Sequence, residues 1–254
     1  MHRILIVLLF IILNNTINAQ SIITDRPDQT ESSSTIAKGS LQIETGILVG
    51  FTDDDDFTEE QILAPTTLFR YGITKGFELR VLNQFERLDF ESTSTRISGI
   101  SDLEVGFKAQ LLRKEGINTE IAFLSHLILP TGTKGLTHDK FGTINKLSIS
   151  HQINENVGLG YNVGYNYFGI ESGDLTYSVA LGFGVTEKIG LYVEPYGEIL
   201  NFDTHEASFD AGITYLLKDN MQFDFSFGTG INHRMNYMAI GFSINIAKKG
   251  TLND

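Results

Sequence analysis

After Lys38 the chain alternates apolar and polar residues with a period of two, almost without a break, to within a few residues of its end. Leu41, Ile43, Thr45, Ile47, Val49 and Phe51 share one phase of the first run, and Gln42, Glu44, Gly46 and Gly50 share the other. Leu103, Val105, Phe107, Ala109 and Leu111 alternate in the same way with Asp102, Glu104, Gly106, Lys108 and Gln110. Val157 to Tyr167 alternates apolar residues with Gly and Asn, and Phe223, Phe225 and Phe227 are separated by Asp224 and Ser226. Successive side chains of a strand point to opposite faces, so a period of two sustained over this length predicts β-strands. There are about twelve such runs of roughly ten to thirteen residues, about twice the mean strand of a soluble protein. Twenty-five glycines, only four prolines and no divided composition suit a single all-β domain.

The connections carry a second pattern. Short turns fall at TKG (74–76), RKEG (113–116), NEN (154–156), TEK (186–188) and KDN (218–220). Between them lie longer polar stretches at 52–60, 87–100, 131–140, 169–174, 200–206 and 232–236. An even strand number, with short turns at one rim and longer loops at the other, is the layout of a transmembrane antiparallel up-and-down β-barrel of about twelve strands. A secreted sandwich or soluble barrel would also alternate. Three features favour the membrane. The strands are long enough to cross a bilayer at a tilt. The polar phase carries Gly, Asn, Ser and paired opposite charges instead of a Lys-rich protective face. Aromatics cluster near the predicted strand ends, Tyr165, Tyr167, Tyr177 and Tyr237 at the long-loop side and Phe69, Tyr71, Phe77 and Tyr215 at the other. On this assignment Phe107, Val163 and Phe225 meet lipid, whereas Glu104, Asn162 and Asp224 face the lumen.

The first residues set the compartment. His2 and Arg3 precede an unbroken apolar run, Ile4 to Leu13, and a polar stretch that ends at Ala19. That is the pattern of a secretory signal peptide over 1–19, too short in its apolar part to span a bilayer as a helix. Losing Arg3 with the leader leaves 18 basic against 31 acidic residues, a net charge of −13. Such a chain lacks the basic face that nucleic acid requires. Cysteine is absent, which excludes disulfides, thiolate chemistry and lipidation of an N-terminal Cys.

Between leader and first strand stands TDRPDQTESSST, residues 24–35, with four ionisable residues and almost no apolar side chain. It resembles the opening block of a bacterial outer-membrane transporter family also known as MetA-pathway phenol-degradation proteins. Thr24 to Ser32, Lys38-Gly39 and Gln42 to Gly46 match that family's TDRP-DQTES, KG and QIETG elements, while Ser33 and Ala37 stand where its spacer carries prolines. The resemblance implies an outer-membrane barrel that passes small organic compounds, and transfers no catalytic residue.

With a barrel downstream, residues 20–37 have a place to go. They start beside strand one, whose polar phase faces the lumen. Asp25, Arg26, Asp28 and Glu31 could pair there with Glu44, Arg70, Glu78, Arg80, Glu104, Lys108 and Glu194, all on polar phases, because partly buried charges interact strongly. Small residues in the polar phases near 158–166, 178–186 and 224–230 would leave room. The alternative is a periplasmic tail.

Enzymatic chemistry finds little support. Ser125 and His126 are neighbours on a strand and point apart, no GxSxG is present, and His126 reads as a lumen-wall residue. His138, His151, His205 and His233 lie on separate elements, with neither HExxH nor an i,i+4 pair for zinc. The Asp run at 53–56 lacks the spaced ligands and Gly of an EF-hand loop. The reading is thus a non-enzymatic barrel over 38–248, with a tail at 249–254 and no cofactor or metal. It is a passive channel for small solutes in contact with outer-membrane lipid and lipopolysaccharide. The alternative is a closed structural or adhesion barrel acting through its outer loops.

Overall fold

The computed structural model describes residues 22–53 and 58–247. The 1–19 leader, most of the Asp run and the 249–254 tail lie outside those residues.

Thirteen strand segments form one antiparallel sheet that closes on itself: β1 (Leu41–Asp53), β2 (Thr58–Thr74), β3 (Phe77–Phe90), β4 (Thr95–Ile100), β5 (Leu103–Leu112), β6 (Thr119–Leu129), β7 (Gly142–Asn154), β8 (Val157–Tyr167), β9 (Asp174–Gly184), β10 (Ile189–Leu200), β11 (Thr204–Lys218), β12 (Met221–Gly230) and β13 (Met235–Ile246). β4 and β5 both pair with β3, end to end, so they make one stave broken at Ser101-Asp102, and the barrel has twelve staves. Closure comes from β1 against β13, from Leu41↔Ile246 to Thr52↔Met235, so that among the described strands β4, paired with β3 alone, keeps a free edge. Short turns gather at one rim; in the first of them Gly76 takes φ +83°, a conformation that favours glycine.

The outer face is apolar. Val163 is 58% exposed and Phe225 42%, and Ile47, Leu79, Leu127, Val179, Ile213 and Ile240 point the same way. In water such a belt would be an aggregation surface; against hydrocarbon it is the satisfied face. The inner face holds the buried polar residues, among them Gln42, Glu44, Arg70, Glu78, Arg80, Lys108, Glu194 and Asp210. The fold is that of an outer-membrane β-barrel.

Three features depart from the expected pattern. Residues 87–100 are mostly strand: β3 continues to Phe90 and pairs with β4 in a hairpin. Its Arg87, Asp89 and Arg96 look loop-like in sequence because the hairpin is held by partly exposed ion pairs, Arg87 with Glu60 at 3.0 Å and Arg87 and Arg96 with Asp89. Tyr237 faces inward and is buried, since β13 presents Tyr237, Ala239 and Gly241 to the lumen and Gly228 on the adjacent strand leaves room for the ring. On β6 the inward phase is largely apolar, with Ala122, Leu124 and Ile128 buried beside His126.

Candidate functional site

Residues 22–40 run through the lumen. Ile22 donates its N–H to the Asp219 carbonyl at the short-turn rim (2.7 Å), and Gly39 donates to Gly72 at the same rim just before β1 (2.7 Å). The segment therefore enters and leaves by one end. Glycines make space for it: a Cβ on Gly241 would stand 2.4 Å from Arg26 Nε, one on Gly46 2.5 Å from Arg26 Nη2, and one on Gly72 2.2 Å from the Ala37 carbonyl oxygen. None of these contacts is possible for a larger residue without moving the segment.

One wall is basic. Arg70 on β2, Arg80 on β3 and Lys108 on β5 are fully buried and converge on the Asp25 carboxylate. Asp25 Oδ2 lies 3.2 Å from Arg70 Nη1, 2.5 Å from Arg80 Nη1 and 2.8 Å from Lys108 Nζ. Glu78 binds Arg70 and Arg80 at 2.8 and 3.1 Å, and Glu44 binds Arg70 at 2.8 Å. Glu31 reaches Arg80 and Lys108 at 2.9 and 3.4 Å. Wall carboxylates also receive the segment's backbone, the Asp25 N–H on Glu44 (2.9 Å) and the Ile36 N–H on Glu78 (2.8 Å). In return Lys108 donates to the Ser32 carbonyl (2.9 Å) and Arg70 to that of Ser34 (3.1 Å). Buried charges are tolerable only when paired and hydrogen-bonded, and here wall and segment complete each other.

The opposite wall is acidic and engages the segment mostly through neutral groups. Arg26 pairs with Asp224 of β12 at 3.1 Å. Glu194 of β10 accepts from the Gln29 N–H (2.7 Å) and the Thr30 hydroxyl (2.5 Å). Thr30 Oγ1 also meets Ser178 Oγ at 2.6 Å. Asn162 accepts from the Glu31 N–H at 2.7 Å and donates to its carbonyl at 3.1 Å. The Gln29 amide reaches the Tyr237 hydroxyl (3.3 Å), which itself donates to Asp210.

These contacts form a septum between two cavities. The one towards the long loops measures about 360 Å³ and is lined by Gln29, Asn162, Ser178, Tyr196, Glu198 and Glu206 among others. The one towards the short turns measures about 480 Å³ and is lined by Asp28, Thr30, Glu31, Glu120, Ser150 and Tyr192 among others. Residues 29–31 stand between them.

Of the residues singled out from sequence, the structure brings Asp25, Glu31, Glu44, Arg70, Glu78, Arg80 and Lys108 into one ion-pair network, and sets Arg26 and Glu194 on the other side of the segment. Glu104 does not touch the segment: it binds His126 Nδ1 at 2.7 Å, while Arg80 Nε donates to His126 Nε2 at 3.0 Å. That acceptor role places the imidazole proton on Nδ1. Asp28 makes no ion pair among the described residues and borders the lower cavity. Sequence reasoning missed Asp210, Ser178 and Tyr237 as partners, and Gly46, Gly72 and Gly241 as the glycines the segment needs. The phase of Gly46 and Gly241 was readable, but nothing local marks which lumen glycine lies under Arg26.

Outside the strands, Asp102 anchors the loop between β6 and β7, accepting the Gly132 and His138 N–H groups at 2.8 and 3.1 Å. Burial pushes its carboxyl up, but hydrogen bonds from Thr137, Gly132 and His138 outweigh burial and hold it below the ordinary value.

Comparison with known proteins bears on the family and the barrel fold. The family model described as "Putative MetA-pathway of phenol degradation" matches residues 24–247. The solved structure of the KdgM porin in complex with disordered oligogalacturonate is similar with a TM-score of 0.56 at 10% identity, over 80% of this chain and 98% of that one. The CymD monoaromatic hydrocarbon channel gives a TM-score of 0.47 at 9% identity, over 84% and 90%. Among curated proteins, none matches the sequence.

Proposed function

This chain belongs to the family described as "Putative MetA-pathway of phenol degradation", and with that as premise we propose that it is a passive outer-membrane channel for small organic solutes, gated by residues 22–37. The observation that carries this reading is the pair of cavities on either side of residues 29–31. A barrel whose purpose were purely structural would gain by filling its interior with side chains, as small barrels do. Here the obstruction is a strand-free segment on the lumen's axis, held on one side by hydrogen bonds to Asn162, Ser178 and Glu194 that can exchange for water. The apolar belt sits in outer-membrane lipid, with lipopolysaccharide at the long-loop rim, and export depends on a cleaved leader over 1–19. No enzymatic role is part of this reading.

The chain has no cysteine, so a crosslink gives a clean test. Thr30→Cys with Ser178→Cys replaces hydroxyls 2.6 Å apart, close enough for a bridge. Solute flux into proteoliposomes should fall when the pair is oxidised, as scored by thiol titration, and recover on reduction. Equal flux in both states would refute the gate and favour a closed barrel acting through its loops.

A further inference from the structure

Strand β10 carries a ladder of which the channel reading uses only Glu194. Its inward phase runs Tyr192, Glu194, Tyr196, Glu198, alternating a phenol with a carboxylate from the lower cavity, through the septum, into the upper one. We propose that solutes cross along this β7–β11 half of the lumen while Asp25 stays docked on the other half, and that the route takes small hydroxylated cations in preference to anions. The inference rests on the channel reading above and specifies its substrate class.

The division of charge is the first argument. Arg70, Arg80 and Lys108 are each at most 1% exposed and are matched by Asp25, Glu31, Glu44 and Glu78, so a passing solute cannot reach them. The cavity walls it can reach hold Glu198 and Glu206 above the septum and Asp28, Glu31 and Glu120 below. Against these stand Lys146, His233 at 3.9 Å from Glu206, and Arg113 at 3.1 Å from Glu120. A lumen lined mainly by one sign of charge concentrates ions of the other.

The second argument is the tyrosine. Tyr192 is 7% exposed, borders the lower cavity, and its hydroxyl has no hydrogen-bond partner of good geometry among the described residues. Its ring lies over Gly212, where a Cβ would come within 2.5 Å of Cε1. A buried hydroxyl left unpaired is costly unless something passing it supplies a partner. A hydroxylated solute supplies one, and a cationic group finds the phenol face attractive as well. The upper lining, including Asn166, Thr176 and Ser208, offers further hydrogen bonds, and the lower one sets Asn118 and Ser150 beside Ile117 and Leu159.

The test is the reversal potential of purified protein in planar bilayers, under a KCl gradient and then a glucosamine hydrochloride gradient. Wild type and Thr30→Ala, which loosens the septum, should both favour the cation. Glu198→Gln with Glu206→Gln should lower the cation-to-anion permeability ratio about two- to fivefold, the scale of a unit charge about 4 Å away in a water-like dielectric. Deleting residues 22–34 should move selectivity towards anions, because Arg70, Arg80 and Lys108 then lose Asp25 and Glu31. Folding of each variant is scored by heat-modifiable migration. Anion preference in wild type, or a ratio unmoved by the Glu198/Glu206 change, would overturn the assignment. Folded protein that conducts in neither the wild-type nor the deleted form would instead refute the channel itself, and the route with it.

Discussion

Replacing Asp25 by Asn should undock the N-terminal segment without unfolding the barrel. The Asn keeps the shape and can still accept from Ser32, whose N–H and hydroxyl reach Asp25 Oδ1 at 2.9 and 2.6 Å. It no longer neutralises Arg70, Arg80 and Lys108, which retain only Glu31, Glu44 and Glu78. Removing one partner from a buried ion pair costs about 3–5 kcal/mol, because a charge is left uncompensated. The lower end applies here, since water can follow from the cavity beside the segment. At about 1.4 kcal/mol per factor of ten, a cost of about 3 kcal/mol raises the undocked population roughly 150-fold. The barrel strands pair with one another and not with the segment, so the change falls on docking. Limited proteolysis of the folded protein in detergent reads this directly: cleavage within 22–37 should accelerate by about two orders of magnitude at unchanged heat-modifiability. Protection equal to wild type would refute the argument that Asp25 holds the segment. Loss of the folded band would show that the network serves assembly instead.

Four other outcomes follow from the same geometry. Val163→Arg places a charge on the lipid face and should cost about 2–4 kcal/mol near the midplane, impairing assembly, whereas Asn162→Arg should assemble and alter conductance; the reverse would mean the strand phase is wrong. Gly241→Val should displace Arg26 from Asp224, since the new side chain meets only the tips of those two, and open the lumen in single-channel recordings while the folded band persists. Tyr237→Phe removes the donor to Asp210 and the acceptor for Gln29, loosening the septum by about 1.5–3 kcal/mol, seen as more frequent opening. Asp102 has a folded pKa below its unfolded one, so it stabilises its loop above the unfolded value and that support fades as pH falls through the folded value; proteolysis at 131–138 should therefore rise in acid, and not in Asp102→Asn, which has already lost the charge.

Much of the barrel could be read from the sequence because register in a wall with one lipid face is fixed by alternation alone: a slip by one residue would turn Val163 inward and Asn162 into hydrocarbon. The hairpin of β3 and β4 escaped because beyond the bilayer nothing demands apolar residues, and Arg87, Asp89 and Arg96 stabilise a strand with loop-like composition. Tyr237 was misplaced because an aromatic near a strand end fits a membrane girdle as well as a lumen; its phase with Ala239 and Gly241, opposite to Met238 and Ile240, and the room left by Gly228 distinguish the two. The charged segment and its wall partners stood out as residue types, since Asp25, Arg70, Arg80 and Lys108 are expensive to bury unless they meet. Which carboxylate meets which cation was not readable, because that depends on how a segment without strand structure folds back inside the lumen. Asp28 shows the limit: it is an Asp of the same short segment as Asp25, yet it borders a cavity and not a cation.

The gate itself is tested most directly by single-channel conductance of the mature protein with and without residues 22–37, both refolded and both heat-modifiable. The segment-free barrel should show a larger and more continuously open conductance, because the septum at 29–31 is what separates the two cavities. Equal conductance from the two proteins would contradict the account.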